Sequence, residues 1–268
     1  MKNYIFTRRV FILLIFSFFL FVSCKSSDSS SSIIDLGDYG KKIYSQNNED
    51  GIIDKIFEII GTTNKYYVEF GTGDGSECNT RYLREKKGFS GLMMDGCCEN
   101  LIINLRKEFI TRENINSLFK KYNVPSEFDM LSIDIDYNDF YIWQALTKFK
   151  PRLVVIEHNS GYGSNDDKVV LYNKTHMWDY TDYSGASIVA MNNLGKKLGY
   201  TLLYSNGVNL FFVRDAVLRS LHVSFKDAGN PQLIFRKFDN PQLEKVLKFI
   251  KKDPYNRPFV SSLVLLKD

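Results

Sequence analysis

The chain has 268 residues, 44% apolar and 25% charged, a composition that excludes a disordered or fibrous protein and allows one sizeable core. Its net charge of +4 falls to near +1 once residues 1–23, which carry Lys2, Arg8 and Arg9 and no acid, are set aside. That balance argues against a nucleic-acid binder.

Behind those basic residues, Val10 to Val22 (VFILLIFSFFLFV) forms an apolar run of thirteen residues. It is short for a membrane span and has the length of a secretory signal core. The run ends in Phe21-Val22-Ser23-Cys24, which resembles a bacterial lipobox, whose cysteine is diacylated and becomes the first residue after cleavage. Cys24 is the expected lipidation site, although Phe21 stands where leucine is usual. An uncleaved short anchor is the alternative, and it too leaves the domain facing outward. The following KSSDSSSSII is too polar to pack and reads as a flexible tether. The expected organisation is a signal peptide over 1–23, a lipidated cysteine and tether over 24–35, an α/β domain over 36–214 and a helical appendage over 215–268. The expected location is the cell envelope, as an exported, membrane-anchored lipoprotein.

Glu49 to Gly61 (EDGIIDKIFEIIG) has acids in its first turn, helically spaced apolar residues and a closing glycine, and reads as a helix. Strand-like runs follow at Tyr66–Phe70, Ser90–Met94, Phe109–Ile110, Met130–Ile133 and Leu153–Ile156. Short buried strands alternating with helices indicate a parallel, doubly wound sheet. Ala186–Leu198 reads as a helix. Tyr200–Tyr204 and Asn209–Val213 read as a terminal antiparallel hairpin, joined through the tight-turn pair Asn206-Gly207. NPQL occurs at Asn230–Leu233 and again at Asn240–Leu243; Asn-Pro is ordinary helix-start chemistry, and the second copy predicts a helix through Glu244–Lys251.

The first chemical signal is VEFGTGDG, Val68 to Gly75, in which three alternating glycines follow a short apolar strand and the acid Glu69. Class I S-adenosylmethionine (SAM) loops read this way. Asp95 lies 24 residues beyond Gly71, at the end of the next strand, the spacing of one β-α-β unit. Such glycines let backbone approach a ligand, and an acid ending the second strand can hold both ribose hydroxyls. The candidate cofactor positions are therefore Glu69, Gly71, Thr72, Gly73 and Asp95. Glu113 and Asn114, past the third strand, could reach an adenine ring or simply cap a helix. Ser76 stands where a dinucleotide loop needs its third glycine, which disfavours NAD, and no Lys-Ser or Lys-Thr pair follows to make a P-loop. The same glycines would also serve a plain strand-to-helix turn.

The second signal is SIDIDYND, Ser132 to Asp139, at the carboxyl end of a central strand. Asp134 or Asp136 could act as general base toward an acceptor hydroxyl, or the group with Asp139 could hold a divalent cation. Asp139 could equally cap the next helix. VVIEHNS places Glu157 and His158 at the neighbouring strand end, where His158 could be a base poised near neutral pH or a hydrogen-bonded structural residue. No histidine or cysteine has metal-ligand spacing, so no metal site is expected from those residues. Cys78 could bridge to Cys97 or Cys98, with small buried thiols the blander reading. Gly161 to Tyr183, rich in Tyr, Asn and Asp, suits a lid or carbohydrate-facing loop, or a structural excursion.

The segments YSQNNEDGII (44–53), YVEFGTGDGSECNTRYL (67–83), GFSGLMMDG (88–96), MLSIDIDYND (130–139), PRLVVIEHNS (151–160), SGASIVAMNNLGKKLGYTLL (184–203) and NLFFV (209–213) together resemble the FkbM-related methyltransferase family, in an uncharacterised bacterial branch. His158 departs from the aromatic residue expected there, and the chain beyond 215 lies outside the resemblance. The resemblance implies a class I SAM-methyltransferase (Rossmann-like) fold, SAM as cofactor, and O-methylation of a sugar or other small hydroxyl acceptor. It carries Glu69, Gly71, Gly73 and Asp95 over as cofactor positions and Asp134 as the acid after the fourth strand. A second possibility, suggested by export, is an extracytoplasmic binding module that keeps the fold without methyl transfer.

Overall fold

The structure is a computed structural model that describes residues 32–237 and 249–267. The signal peptide, Cys24, most of the serine tether and most of the second NPQL helix lie outside the described residues; Lys251, the expected end of that helix, pairs as a bridge with Thr181 instead. Among the described residues, no helix is long and apolar enough to cross a membrane.

The acids opening EDGIIDKIFEII and its buried Ile52, Ile53, Ile56 and Phe57 produce helix α1, Glu49–Ile60, closed by Gly61 at φ 68°. A two-residue strand β1 (Ile33–Ile34) precedes it. Then come β2 (Tyr66–Phe70), α2 (Arg81–Lys86), β3 (Ser90–Asp95), β4 (Leu105–Lys107), α3 (Ile115–Lys121), β5 (Glu127–Ile133), α4 (Asp139–Ala145) and β6 (Lys150–Glu157). After the short β7 (Val169–Val170), α5 (Ile188–Leu198) leads to β8 (Tyr200–Ser205) and β9 (Asn209–Arg214).

The main sheet has seven strands in the order β4-β3-β2-β5-β6-β9-β8. Pairing is parallel from β4 through β6, and β9 runs antiparallel to both its neighbours. This is the α/β arrangement of class I SAM methyltransferases, with the terminal hairpin where the sequence places it. The third strand differs: it is Leu105–Lys107, and Phe109–Ile110 lies beyond it. An edge strand of three residues needs little apolar sequence, whereas the apolar Phe109 is 48% exposed.

Side-chain alternation divides the core across the sheet. Val68, Phe70, Leu131, Ile133, Val154, Ile156 and Phe212 pack with α3, α4 and α5. Tyr67, Met93, Met130, Leu153, Val155 and Phe211 pack with α1. The chain after 214 is woven into the same unit among the described residues. It carries α6 (Asp215–Leu218), β10 (Ser224–Phe225), α7 (Pro231–Ile234), β11 (Phe259–Val260) and α8 (Ser262–Leu265). β10 pairs in parallel with β1, β11 pairs antiparallel with β7, and Ser262 Oγ accepts from Asn193 Nδ2 on α5. These segments mix short strands with single helical turns, in place of a helical appendage.

Candidate active site

The strand order reverses between β2 and β5, so the crevice outside their carboxyl ends is the topological switch point of the sheet. Gly71 and Asp134 lie there, one residue past the last paired rung, Phe70 with Ile133. The backbones approach so closely that a Cβ on Gly71 would sit 1.4 Å from the Asp134 carbonyl oxygen, and Gly71 itself adopts φ 74°. Gly73, at φ 54°, faces open space. Its N–H donates to Asp95 Oδ2 at 2.8 Å, tying the glycine loop to the end of the adjacent strand, while Asp95 Oδ1 accepts from Cys97 N at 2.8 Å. A carboxylate has about four lone-pair directions, so each Asp95 oxygen keeps room for a further donor. Thr72 is buried, with its Oγ1 unpartnered.

Glu69 performs internal work. Buried on β2, it accepts from Asn79 N (2.8 Å), Thr80 N (3.0 Å) and Thr80 Oγ1 (2.5 Å), fixing the chain between the glycine loop and α2. Burial raises its carboxyl pKa even so. The cleft beside it is lined by Gln46, Glu49, Glu69, Gly71, Asn79, Asp134 and Asn209, with Glu77 and Cys78 at its side.

Asp134 and Glu157 end neighbouring strands, and one carboxylate oxygen from each of Asp134, Asp136 and Glu157 lies within 4.8 Å of the others. Burial, followed by the surrounding carboxylates, pushes both Asp134 and Glu157 well above the usual range. Asp136 holds its backbone at φ 66° and presents an exposed side chain; its pKa is raised first by desolvation and then by Asp95. Asp139 is buried, and its Oδ1 accepts from Ile135 N at 2.8 Å, closing the turn that carries the other two aspartates. Burial raises its pKa to about 7.

Other expected site residues are placed elsewhere. His158 is buried at 4% exposure, and its ring Nδ1 donates to the Val208 carbonyl at 2.8 Å. Burial lowers its pKa to about 4, so it is neutral and weakly basic at physiological pH, in place of a base poised near neutrality. It does not line the cleft. Asn114 uses its side chain to close the turn before α3, accepting from Thr111 N and donating to Phe109 O. Glu113 accepts from Tyr172 Oη at 2.6 Å and Arg112 Nε at 3.0 Å; the tyrosine bond first among these contacts lowers its pKa to about 2. Both residues are engaged locally, and no contact directs either toward an adenine site.

Sequence reading missed the wall supplied by α1 and the hairpin. Glu49 Oε1 accepts from Asn206 Nδ2 (2.8 Å) and Asn209 Nδ2 (3.0 Å), and its Oε2 accepts from Asn47 N (2.6 Å). The signal was present in NNED and in the asparagine opening NLFFV. The segment 161–183, expected as a lid or excursion, is held by the tail: Arg257 pairs with Asp179 at 2.8 Å, and Tyr183 Oη donates to Pro258 O at 2.7 Å.

Cys97 and Cys98 are disulfide-bonded to each other, immediately after Asp95-Gly96, and Cys78 is free and buried. Cys78 is thus the small buried thiol of the two readings open in the sequence, with burial raising its pKa, and it does not bridge to Cys97 or Cys98. Alkylation followed by peptide mass measurement should leave Cys97 and Cys98 unmodified until reductant is added, and Cys78 unmodified until the chain is denatured. Labelling of both adjacent cysteines in the unreduced, air-exposed protein would contradict the bond.

No protein-family model matches the chain, and no curated protein matches it. Among solved structures it is similar to a SAM-dependent methyltransferase from Aquifex aeolicus, at 10% identity and a TM-score of 0.31, over 66% of this chain and 94% of that one. At that identity and score the likeness decides nothing about chemistry. The sheet order defines the class of domain, and the site's own contacts define what it can do.

Proposed function

We propose that this domain binds SAM at the Gly71–Gly75 loop and O-methylates a hydroxyl of a sugar or another small acceptor. The observation that carries the reading is the 2.8 Å bond from Gly73 N to Asp95 Oδ2 at the switch point of a class I sheet. It joins the loop that can approach a ligand's backbone-facing groups to the acid that can take two ribose hydroxyls. The residues fit SAM: Gly73 opens onto free space, Thr72 offers an unpartnered buried hydroxyl, and Asp95 retains acceptor capacity. Bound SAM supplies an electrophilic methyl group on sulfur. In this reading Asp134 or Asp136, at the carboxyl edge of the sheet, accepts the proton of the attacking hydroxyl.

The FkbM-like motifs support the same reading. Lipid anchoring through Cys24 after removal of residues 1–23, and an envelope location, belong to the proposal. An adjacent-cysteine disulfide is the kind of bond an oxidising compartment preserves.

Calorimetric titration of the full chain with SAM tests the reading. Saturable one-to-one binding is expected, weakened by roughly tenfold or more in Asp95→Ala, because two ribose hydrogen bonds to a charged group are lost. No heat at about 1 mM SAM from a chain whose circular dichroism shows it folded would overturn it. The export signal read at the N-terminus favours a second reading, an extracytoplasmic binding module that keeps the fold without methyl transfer. That second reading is the one left standing if SAM does not bind.

A further inference from the structure

We infer that the carboxyl edge of β5, β6 and β9 holds an oxygen-liganding divalent cation, bound by Asp134, Asp136 and Glu157 with Asn209 as a neutral fourth oxygen ligand. Oxygens of the three carboxylates lie within 4.8 Å of one another. One ion with metal–oxygen distances of about 2.1–2.5 Å spans about 4–5 Å between opposite ligands, so a single cation can reach all three.

An acidic cluster alone would be an ordinary surface feature. Asn209 supplies a separate observation. Its Cα pairs directly with that of Glu157 across β6 and β9, which puts the two side chains on the same face of the sheet. The residue is 3% exposed and lines the same cleft as Asp134. Its Nδ2 donates to Glu49 Oε1, so the amide orientation is set, and Oδ1 is left buried with no hydrogen-bond partner. A buried amide oxygen without a donor loses the hydration it had in the unfolded chain, which is unfavourable unless something electropositive faces it. Surrounded by acids, the electropositive species that suits hard oxygen ligands is a metal cation such as Mg2+, Mn2+ or Ca2+. Asp139, whose Oδ1 holds the Ile135 amide, fixes the turn that presents Asp134 and Asp136.

The cation would lower the pKa of a coordinated acceptor hydroxyl and hold its oxygen at the switch point, and the carboxylate oxygen of Asp134 or Asp136 not bound to the ion would take the proton. In that purpose, though not in its binding, the inference rests on the proposed methyl transfer.

Chelator-treated full chain titrated with Mn2+, followed by loss of the free-ion electron paramagnetic resonance signal, tests the site directly and needs no SAM. One ion per chain is expected. Asp136→Asn, on an exposed side chain that leaves the fold intact, should weaken binding by about tenfold or more, as should Asn209→Ala. Glu113→Gln, whose carboxylate is held by Tyr172 and Arg112 and is not part of the cluster, should leave it unchanged. Failure of the folded wild-type chain to bind at about 1 mM Mn2+ would overturn the site. So would equal affinity in the wild type, Asp136→Asn and Asn209→Ala. A chain that binds SAM but no Mn2+ loses this site and keeps the proposed function; one that binds Mn2+ but no SAM does the reverse.

Discussion

Gly71→Ala lowers the unfolding free energy by about 3–5 kcal/mol, a fall of roughly 6–20 °C in the melting midpoint, whereas Gly73→Ala lowers it by about 1 kcal/mol. Both residues have positive φ, 74° and 54°, so each substitution carries the left-handed penalty of about 1–2 kcal/mol. Only Gly71 adds a collision with backbone, 1.4 Å from the Asp134 carbonyl oxygen, which no side-chain rotation relieves. The ends of β2 and β5 must part, which weakens the bonds from Gly71 N to Met94 O and from Asp134 N to Phe70 O. Ligand binding should rank differently. Gly73 faces open space on the loop proposed to meet SAM, so its alanine variant should stay folded and lose SAM affinity. Paired thermal melts and SAM titrations on the two variants read both effects. Equal midpoints would show that the strand ends do not pack as described.

That contrast shows what was legible in sequence. The alternating glycines announced a loop, and the Asp95 spacing announced its partner strand, because both are local patterns with a fixed β-α-β length. Strand β2 was readable to the residue, and the Asn-Gly hairpin to within one residue at the end of each strand, since its turn chemistry is local. What separates Gly71 from Gly73 is a contact with a strand more than 60 residues later, which no local pattern encodes.

The same limit explains the larger misses. Glu157 was visible as an acid at a strand end. Its relation to Asn209 depends on the antiparallel register of β6 with β9, where one residue of slip would reverse the facing of every side chain. His158 could be read as a base, or as a hydrogen-bonded structural residue, because it ends a strand at the carboxyl edge and an ordinary imidazole titrates near neutral pH. Alternation along β6 turns it away from Glu157 into a buried position, where desolvation makes it a poor base. The edge strand β4 was misplaced because apolar content, the signal used to find strands, marks burial, and an edge strand buries little.

Asp50→Ala should destabilise the chain by about 3–4 kcal/mol and release the segment that walls the cleft. Asp50, 1% exposed, accepts at a single oxygen, Oδ2, from Ile43 N (2.7 Å), Tyr44 N (2.6 Å), Ser45 N (2.8 Å) and Ser45 Oγ (2.9 Å). Bonds to a charged acceptor are worth about 1.5–3 kcal/mol each, but they are not additive here. The half-buried donors of Ile43 and Tyr44 can turn to water, whereas Ser45 is fully buried and cannot, so the loss falls well short of the sum. Asp50→Asn keeps an oxygen acceptor without the charge and should show a smaller loss, about 1–2 kcal/mol. Hydrogen exchange locates the effect: the amides of residues 43–45 should lose protection in the alanine variant while those of β5 keep theirs. Because Glu49 immediately precedes Asp50, and its carboxylate orients Asn209, loosening this turn should also weaken Mn2+ binding without removing any proposed ligand. Unchanged protection at 43–45 would mean that the Asp50 carboxylate does not organise the loop, and the link from NNED to the cleft would fall with it.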